Sequence, residues 1–419
     1  MGETGDGTDS IDSTGSTDSA DRADSVDSTG DGGLAVALVV PGDPGTTSGG
    51  FRYDRRLVAG LREADASVRV FSVPWRRYPL GVVDTLGLAT RVPAGLREAD
   101  VVVVDELAHS GTAGLVRRLR RDGTPVVALV HHLRCAEGGR LAPVARRLER
   151  LFLRGCSAAV CVSPATERDV RPLVPPGFRT HVAQPPADQF APDVTPADVA
   201  RRAHESPLRV VALGSLVPRK GHETLLRALA GLDAATTASA SAPASASASA
   251  PAPADGDRID WRLAVVGPEP DPEHAAAVRA LAADLGVADR VAFRGRLPGD
   301  DLAEVLRESH VLALPSTYEG FGMAYLEGMG FGLPAVASAA GGADAVVTDG
   351  VDGVLVEPGD VAAVRDALAT LATDRDRLAS MGRAALDRFD AHPEWTDTVA
   401  GIRAFLAGVV ESEGVTDGG

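Results

Sequence analysis

The sequence predicts an α/β protein built from two doubly wound domains. Continuous apolar runs alternate with helical patterns, the arrangement that places a parallel sheet between layers of helices. The alternation fades near residue 190 and begins again at Leu208, so it occurs twice in 419 residues. A chain of this length can bury two separate cores. We therefore expect domains at residues 33–190 and 200–390.

The N-terminal domain is predicted to contain five buried strands. Each is a short aliphatic run, and a run that is apolar throughout is typical of a strand covered on both faces. The runs are Leu34–Val40, Val68–Val73, Val101–Val104, Val126–Val130 and Ala158–Val162. A Gly-rich loop at 43–50 follows the first strand, and a helical pattern then extends from Phe51 to Ala64.

The C-terminal domain repeats this pattern. Its predicted strands are Leu208–Leu213, Trp261–Val266, Val291–Arg294, Val311–Pro315 and Ala335–Ser338. Residues 234–254 consist of Ala, Ser, Thr and Pro between a helix and a strand of one sheet, which indicates a low-complexity surface insertion. The predicted interdomain linker is the Pro-rich stretch Pro185–Pro196. The amphipathic segment 391–411 is predicted to form a helix that packs back on the N-terminal domain.

Charge is distributed unevenly along the chain. Residues 1–32 carry nine acidic residues and one Arg without apolar periodicity, so we expect a disordered acidic tail. Residues 33–193 carry 22 Arg against 16 acidic residues, although the whole chain has a formal net charge of −16. A basic half in an acidic protein suggests contact with an anionic surface or a phosphorylated acceptor, although a chance excess of Arg gives the same pattern. We expect no nucleic-acid partner.

The sequence favours a cytoplasmic location. No apolar run approaches the roughly 18 residues that a membrane span needs, and no secretory signal pattern opens the printed sequence. The three cysteines are an odd number without metal-ligand spacing, which predicts free thiols in a reducing compartment.

The strongest functional signal is Glu319–Glu327, with the sequence EGFGMAYLE. It follows a predicted strand and its second half is helical, so it lies where open α/β sheets bind ligands. Gly320 and Gly322 let backbone amides approach a ligand, and a helix N-terminus favours phosphate. Glu327 is the only charged residue between Gly320 and Ala343, so we expect a ribose-like diol or backbone donors to meet it. The alternative is an exposed Glu on the helix surface.

A second signal is the turn Gly214–Gly221, with the sequence GSLVPRKG, which also joins a strand to a helix. It contains Lys220, the only lysine in the chain. A lysine is expected where a compact ammonium charge is needed rather than the planar guanidinium of Arg. Together with Arg219 it can neutralise a leaving diphosphate. The alternative is a lysine of no functional consequence.

With these motifs the C-terminal domain resembles family 4 of the retaining glycosyltransferases. That family has the GT-B architecture, in which two Rossmann-like domains face a central cleft. The resemblance rests first on the Glu-x7-Glu element Glu319–Glu327 and the turn Arg219-Lys220-Gly221. Further matching segments are Phe293–Gly295, Leu333–Val336, Gly341-Gly342 and Asp349–Gly353. It covers residues 208–390 closely and 33–165 more loosely.

The resemblance implies a role for each matching residue of the C-terminal domain. Lys220 and Arg219 would hold the donor diphosphate. Glu319 would contact the transferred sugar and Glu327 the ribose, while the backbone at 295–297 would face the base. We do not assign Glu319 as a nucleophile, because a carboxylate that binds sugar hydroxyls can serve orientation equally well.

The resemblance also reaches the N-terminal domain. Ser48-Gly49-Gly50 would close on the diphosphate and sugar, and His131 or His132 would lie near the sugar; we favour His131. The implied catalytic residues are Glu319, His131 and Lys220. The implied donor-binding residues are Gly49, Gly50, Arg219, Lys220, Gly295, Glu319, Gly320, Phe321, Gly322 and Glu327.

One position departs from the family pattern. Many members have Arg directly after the first Gly of the lysine-containing turn, where this chain has Ser215. Arg219 in the same loop is the candidate for the missing charge. The resemblance further implies hexosyl transfer from a nucleotide-diphosphate sugar with retention of configuration, without a metal and without a cofactor. The base, the sugar and the acceptor stay open.

The segment Arg140–Arg154 is the candidate for contact with an acceptor or a membrane. It carries five Arg among apolar residues at helical spacing, as in helices that lie on anionic bilayers. Phe51, Tyr53 and Trp75 could add apolar contact. These features suggest an enzyme peripheral to the inner face of the membrane with a lipid-linked or phosphorylated acceptor. The alternative is an ordinary helix with a solvated basic face.

Two other functions fit the same architecture. One is a sugar phosphorylase that binds pyridoxal phosphate at Lys220, although such enzymes are much longer. The other is a non-catalytic sugar-nucleotide-binding protein, against which the presence of Glu319, Glu327 and Lys220 argues.

Overall fold

The computed structural model describes residues 33–43, 49–74, 92–238 and 259–414. The predicted acidic tail, Ser48, Trp75 and most of the insertion at 234–254 lie outside these ranges. Within them, no helix is both long and apolar enough to cross a membrane.

The N-terminal domain is a parallel six-stranded sheet in the order β2-β1-β3-β4-β5-β6. Its strands are β1 Ala35–Pro41, β2 Ser67–Val73, β3 Val101–Asp105, β4 Val126–Val130, β5 Ala158–Cys161 and β6 Arg179–Val182. Its helices are α1 Gly49–Glu63, α2 Ala94–Arg97, α3 His109–Arg121, α4 Ala142–Leu153 and α5 Pro164–Val170. Strands β3, β4 and β5 are buried along their whole length, as continuous aliphatic runs require.

The C-terminal domain has a second parallel six-stranded sheet, in the order β12-β11-β10-β7-β8-β9. Its strands are β7 Leu208–Leu213, β8 Trp261–Val266, β9 Val291–Gly295, β10 Val311–Leu314, β11 Ala335–Ser338 and β12 Gly353–Val356. Its helices are α6 Pro196–Ala203, α7 His222–Ala238, α8 Pro272–Asp284, α9 Gly299–Glu308, α10 Met323–Gly330, α11 Val361–Thr373 and α12 Arg375–Asp390.

The predicted fold class is confirmed, with three differences in detail. The sequence indicated five strands per domain and missed β6 and β12. Both are four residues long and only partly buried, so neither has a long aliphatic run to reveal it. The Gly-rich segment was expected to be a loop as far as residue 50, but Gly49 and Gly50 form the first turn of α1.

The order of strands places a ligand crevice in each domain. From β1 the chain continues to β2 on one side and to β3 on the other, so the connections leave β1 in opposite directions. The same reversal occurs at β7, which lies between β8 and β10. Open α/β sheets bind ligands at such switch points, outside the carboxyl ends of the strands. The segments that follow β1, β4, β7 and β10 carry the predicted site residues.

The last helix, α13 Trp395–Gly414, returns to the N-terminal domain. Trp395 packs edge-on against Tyr53 of α1, with ring centroids 5.0 Å apart. Thr398 Oγ1 donates to the Gln184 carbonyl at 3.0 Å, and Ile402 is buried. This helix supports α1, the element that carries Gly49 and Gly50.

Candidate functional site

The turn after β7 brings Lys220 to the segment after β10. Gly221 has φ 72°, and a Cβ there would lie 2.0 Å from the Pro315 carbonyl oxygen. Only glycine permits both the left-handed conformation and this approach. The turn therefore packs on the end of β10, where Lys220 Nζ donates to Glu319 Oε1 at 2.6 Å.

Glu319 is held as a buried carboxylate. It is 6% exposed and also accepts from Ser316 Oγ at 2.6 Å, while Arg219 Nη1 lies 3.9 Å from Oε2. Burial raises the pKa of Glu319, but Lys220 and Arg219 outweigh it and hold the pKa below its usual range. Arg219, Lys220 and Glu319 therefore form one charged group beside the carboxyl ends of β7 and β10.

The Gly320 peptide is a contact point between the two domains. Its carbonyl accepts from Ser163 Oγ at 2.6 Å, and Ser163 is also the N-cap of α5. A Cβ on Gly320 would lie 2.2 Å from the His131 carbonyl oxygen. Glycine is required here for the close approach of two backbones, rather than for contact with a ligand alone. Gly320 and His131 are thus brought together by closure of the cleft.

Glu327 has a partner that the sequence did not predict. A diol or backbone donors were expected in an apolar neighbourhood, but the carboxylate meets a cation from the other domain. Arg52 Nη1, in the first turn of α1, lies 2.6 Å from Glu327 Oε1. Glu327 is 7% exposed, so the alternative of an exposed helix residue is wrong. No sequence pattern indicated this contact, because Arg52 approaches from a distant part of the chain.

Glu327 nevertheless keeps the capacity to bind a hydroxyl. Arg52 lies 2.6 Å from Glu327 Oε1, and no other described residue donates a hydrogen bond to this oxygen. Burial raises the pKa of Glu327, an effect that Arg52 offsets only in part. A buried carboxylate oxygen without a donor is costly, so a ligand hydroxyl at this position would stabilise it.

Gly49 faces the C-terminal domain, and Gly50 faces His131 of its own domain. Gly49 lies against the side chain of Met323, the first residue of α10, and Gly50 lies against the imidazole of His131. Gly322 caps α10 with φ 106° and offers no side chain to the helix N-terminus. Gly49 thus meets the predicted phosphate-binding helix end across the cleft, whereas Gly50 meets His131 of its own domain.

Two of the predicted donor residues lie further from this contact. Phe321 is buried, and its ring centroid is 5.7 Å from that of His392. Gly295 ends β9, the edge strand, and its carbonyl accepts from the Gly267 backbone at 2.8 Å. Both lie on the carboxyl side of the sheet, but the structure brings neither into contact with the ion pairs of Glu319 and Glu327.

His131 lies in a buried cluster of three carboxylates. Its Nε2 is 3.1 Å from Asp54 Oδ1 of α1, and its backbone N–H donates to Glu106 Oε2 at 2.7 Å. Asp105, at the end of β3, completes the cluster. Its burial is complete, and no described residue donates to its Oδ2. Asp54 thus fixes the imidazole beside Gly50, and Glu106 fixes the backbone of His131.

Protons balance the charge of this cluster. Burial lowers the pKa of His131, but Asp54, Asp105 and Glu106 outweigh it and raise the pKa to about 10. Burial and Asp54 raise the pKa of Asp105 to about 7, and burial together with Asp105 raises that of Glu106. One atom each of Asp54, Asp105 and His131 lies within 4.8 Å of the others, so the same group could hold a cation.

His132, the alternative to His131, occupies a different position. Its Nε2 lies 2.9 Å from Glu137 Oε1, and Arg134 contacts the other oxygen of Glu137 at 2.9 Å. Burial raises the pKa of Glu137, but His132, Arg134 and Arg219 together hold it below its usual range. His131 therefore faces the glycines, and His132 faces the mouth of the cleft beside Arg219.

The sequence missed four charged residues of this cleft. Asp105 and Glu106 directly follow the β3 run, so the rule that strand ends carry ligands could have found them. Arg52 and Asp54 lie within a helical pattern, where charged residues normally face solvent. The sequence around Arg52 and Asp54 does not reveal their contacts, because the residues that pack on them belong to other elements.

Comparison with known proteins agrees with this architecture. Residues 196–388 match the family described as "Glycosyl transferases group 1", and residues 29–186 match the "Glycosyl transferase 4-like domain" family. The fold is similar to that of a sucrose-phosphate synthase from Thermosynechococcus elongatus, with a TM-score of 0.70. That match has 20% identity and covers 90% of this chain and 100% of the other, so it concerns the fold alone.

Two relatives are closer in sequence. The chain is 31% identical over 340 residues to the GDP-mannose-dependent alpha-(1-6)-phosphatidylinositol monomannoside mannosyltransferase of Mycolicibacterium smegmatis, covering 77% of this chain and 80% of that protein. It is 34% identical over 241 residues to the D-inositol 3-phosphate glycosyltransferase of Acidothermus cellulolyticus, covering 55% of this chain and 46% of that protein.

Substitution of Gly320 should open the cleft without unfolding either domain. In Gly320→Ala the new Cβ would overlap the His131 carbonyl, and overpacking of this kind costs about 1–3 kcal/mol. We expect a larger radius of gyration in small-angle X-ray scattering with an unchanged circular dichroism spectrum. Gly299→Ala, whose Cβ would meet open space, is the control. Identical scattering from both variants would show that the Gly320 contact does not hold the cleft.

Substitution of Asp54 should change how stability depends on pH. The folded-state pKa of His131 is about 10, above the usual value near 6.5. The protonated imidazole therefore stabilises the folded state fully below pH 6.5, and this stabilisation is lost as the pH rises to 10. In Asp54→Asn the imidazole loses its closest carboxylate, its pKa falls, and the loss of stability between pH 6.5 and 10 becomes smaller. Urea unfolding across this range measures the effect, with the exposed Asp65→Asn as control. Parallel curves for wild type and Asp54→Asn would contradict the role of Asp54.

Proposed function

Since the chain belongs to the family of group 1 glycosyltransferases and uses a nucleotide sugar, we propose that it transfers mannose from GDP-mannose to a phosphorylated inositol acceptor. The observation that carries the donor part is the group formed by Lys220, Arg219 and Glu319 beside Glu327 in one cleft. The names of the two relatives support the choice of mannose and of an inositol-containing acceptor.

The arrangement suits a transfer in which protein cations stabilise the leaving nucleotide. Lys220 and Arg219 lie where negative charge would develop on the diphosphate, close to the N-terminus of α10. Glu319, kept ionised by the same cations, would accept hydrogen bonds from sugar hydroxyls and fix the sugar's orientation. On this basis we propose that transfer proceeds with retention of configuration and without a metal ion.

His131 is proposed to act from the opposite wall of the cleft. Its imidazole lies against Gly50 and is tied to Asp54, so it presents a fixed polar group to the donor sugar. His132, Glu137 and Arg134 form a separate, more exposed group, which we propose for a phosphorylated acceptor. We therefore propose that His131 contacts the donor sugar and that His132, Glu137 and Arg134 contact the acceptor.

The outer face of α4 supports contact with an anionic membrane. We define the α4 surface as the exposed residues Leu141, Val144 and Leu151 with Arg140, Arg146, Arg147, Arg150 and Arg154. Large apolar side chains beside Arg at helical spacing suit the interface of an anionic bilayer. We propose that the enzyme lies peripherally on such a membrane and reaches a lipid-linked inositol there.

The transferase activity is tested by product formation from GDP-mannose, with UDP-glucose as competing donor and inositol phosphate or phosphatidylinositol as acceptor. Lys220→Ala should lower kcat about 100-fold to 1000-fold, because a preorganised charge at the leaving group is lost. Arg227→Ala, an exposed cation on α7, should leave kcat unchanged.

Other outcomes of this assay separate the remaining functions. Nucleotide-sugar binding without turnover would favour a non-catalytic binding protein. Release of sugar phosphate that depends on inorganic phosphate, with visible-range absorbance of the purified protein, would favour a pyridoxal-dependent phosphorylase.

Membrane contact is tested by flotation with vesicles of phosphatidylcholine and phosphatidylserine. Each Arg near an anionic surface contributes about 1 kcal/mol, so Arg146, Arg147 and Arg150 replaced together by Ala should weaken binding roughly 100-fold. The matched control replaces Arg227, Arg377 and Arg383, three exposed residues of the C-terminal domain, which removes the same charge from the other domain. Equal weakening by both triple variants would rule out the α4 surface as the docking site.

A further inference from the structure

We propose that Arg52 is a donor-binding residue that the N-terminal domain supplies across the cleft, providing the cation that Ser215 does not. This inference rests on the proposed use of a nucleotide-diphosphate sugar. It differs from the family resemblance, which places the missing charge within the lysine-containing turn. Arg219 was our candidate from sequence, but its guanidinium faces the outer oxygen of Glu319.

The position of Arg52 is the first reason. It lies in the first turn of α1, beside the glycines that face α10. Its Nη1 is 2.6 Å from Glu327 Oε1, and its Nη2 is 3.8 Å from Met323 Sδ. Met323 is the first residue of α10, so the guanidinium lies beside the helix end at which an anion is favoured.

The balance of charge in the cleft is the second reason. Lys220 and Arg219 both face Glu319, and Glu327 adds a second negative charge. Two cations against two carboxylates leave no net positive charge for a diphosphate. Arg52 adds the third cation and makes this group of five side chains positive. A cation beside a helix N-terminus is unfavourable by itself, and Glu327 is the anion that compensates Arg52 there.

The guanidinium has donors left for such a ligand. Arg carries five N–H groups in a planar fork that matches phosphate oxygens. Nη1 contacts Gln189 and Glu327, and Nη2 lies 3.8 Å from Met323 Sδ, whereas no hydrogen bond joins Nε to a described residue. The side chain is 25% exposed, so part of it is open to solvent. Arg52 and a ribose hydroxyl can therefore share Glu327 rather than compete for it.

The structure also suggests what Arg52 would do if it bound no phosphate. It would then be a latch, which holds the two domains together through Glu327 and which the ribose must displace. The two roles differ in how the effect of removing Arg52 depends on the phosphates of the ligand. A phosphate-binding residue affects the diphosphate most, whereas a latch affects every ligand that binds Glu327.

The experiment measures binding of guanosine, GMP and GDP by isothermal titration calorimetry, with UDP and ADP in parallel to cover another base preference. Arg52→Ala should weaken GDP binding about tenfold to 100-fold, the range for hydrogen bonds to charged groups, and guanosine binding less than about threefold. Arg52→Lys should recover part of the loss, because a point charge replaces the fork.

The matched control is Arg62→Ala, in the last turn of α1. Arg62 is exposed and donates to the Val68 carbonyl of β2, so its removal should leave all three affinities unchanged. Unaltered circular dichroism excludes misfolding of the variants. Equal losses for guanosine and GDP in Arg52→Ala, or tighter binding, would overturn the proposal while leaving the proposed function intact. Failure of the wild type to bind any of the three diphosphates would overturn both.

Discussion

The backbone contact at Gly320 is the constraint on which the rest of the cleft depends. The Ser163 hydroxyl donates to its carbonyl, and the missing side chain admits the His131 carbonyl. Because this contact joins the domains at the base of the cleft, it sets the distance between α1 and α10. The approach of Gly49 to Met323 and of Arg52 to Glu327 follows from that distance. The absence of a side chain at Gly320 therefore allows a cleft whose charged groups come from both domains.

Charge in the closed cleft is handled in two different ways. In the C-terminal domain each buried carboxylate lies beside a cation, Glu319 beside Lys220 and Glu327 beside Arg52. Breaking one partner of such a pair leaves an uncompensated buried charge, which is why these contacts fix geometry strongly. In the N-terminal domain three carboxylates share a single imidazole, and raised pKa values mean that protons replace the missing cations. The C-terminal wall of the cleft thus carries ion pairs, whereas the N-terminal wall carries groups with raised pKa values.

Local sequence accounted for much of the fold and part of the site. Aliphatic runs such as Val101–Val104 identify central strands because both faces are covered, and the glycines and charges after β7 and β10 mark the ligand edge. The sequence placed the Lys220 turn and the Glu319 segment each after a strand, and the structure joins them by a 2.6 Å hydrogen bond. It missed β6 and β12, whose burial is partial. It also predicted a loop at Gly49 and Gly50, because glycine has a low helix propensity.

The sequence by itself determined the α/β class and the division into two Rossmann-like domains, because both depend on local pattern. Tertiary structure alone decided which charges face one another. Arg52 and Glu327 belong to different domains, and Asp54 and His131 to different elements of one, so their distances depend on packing of surfaces that are remote in the chain. Burial is likewise a property of the assembled fold, and it turns ordinary helix charges into parts of a site.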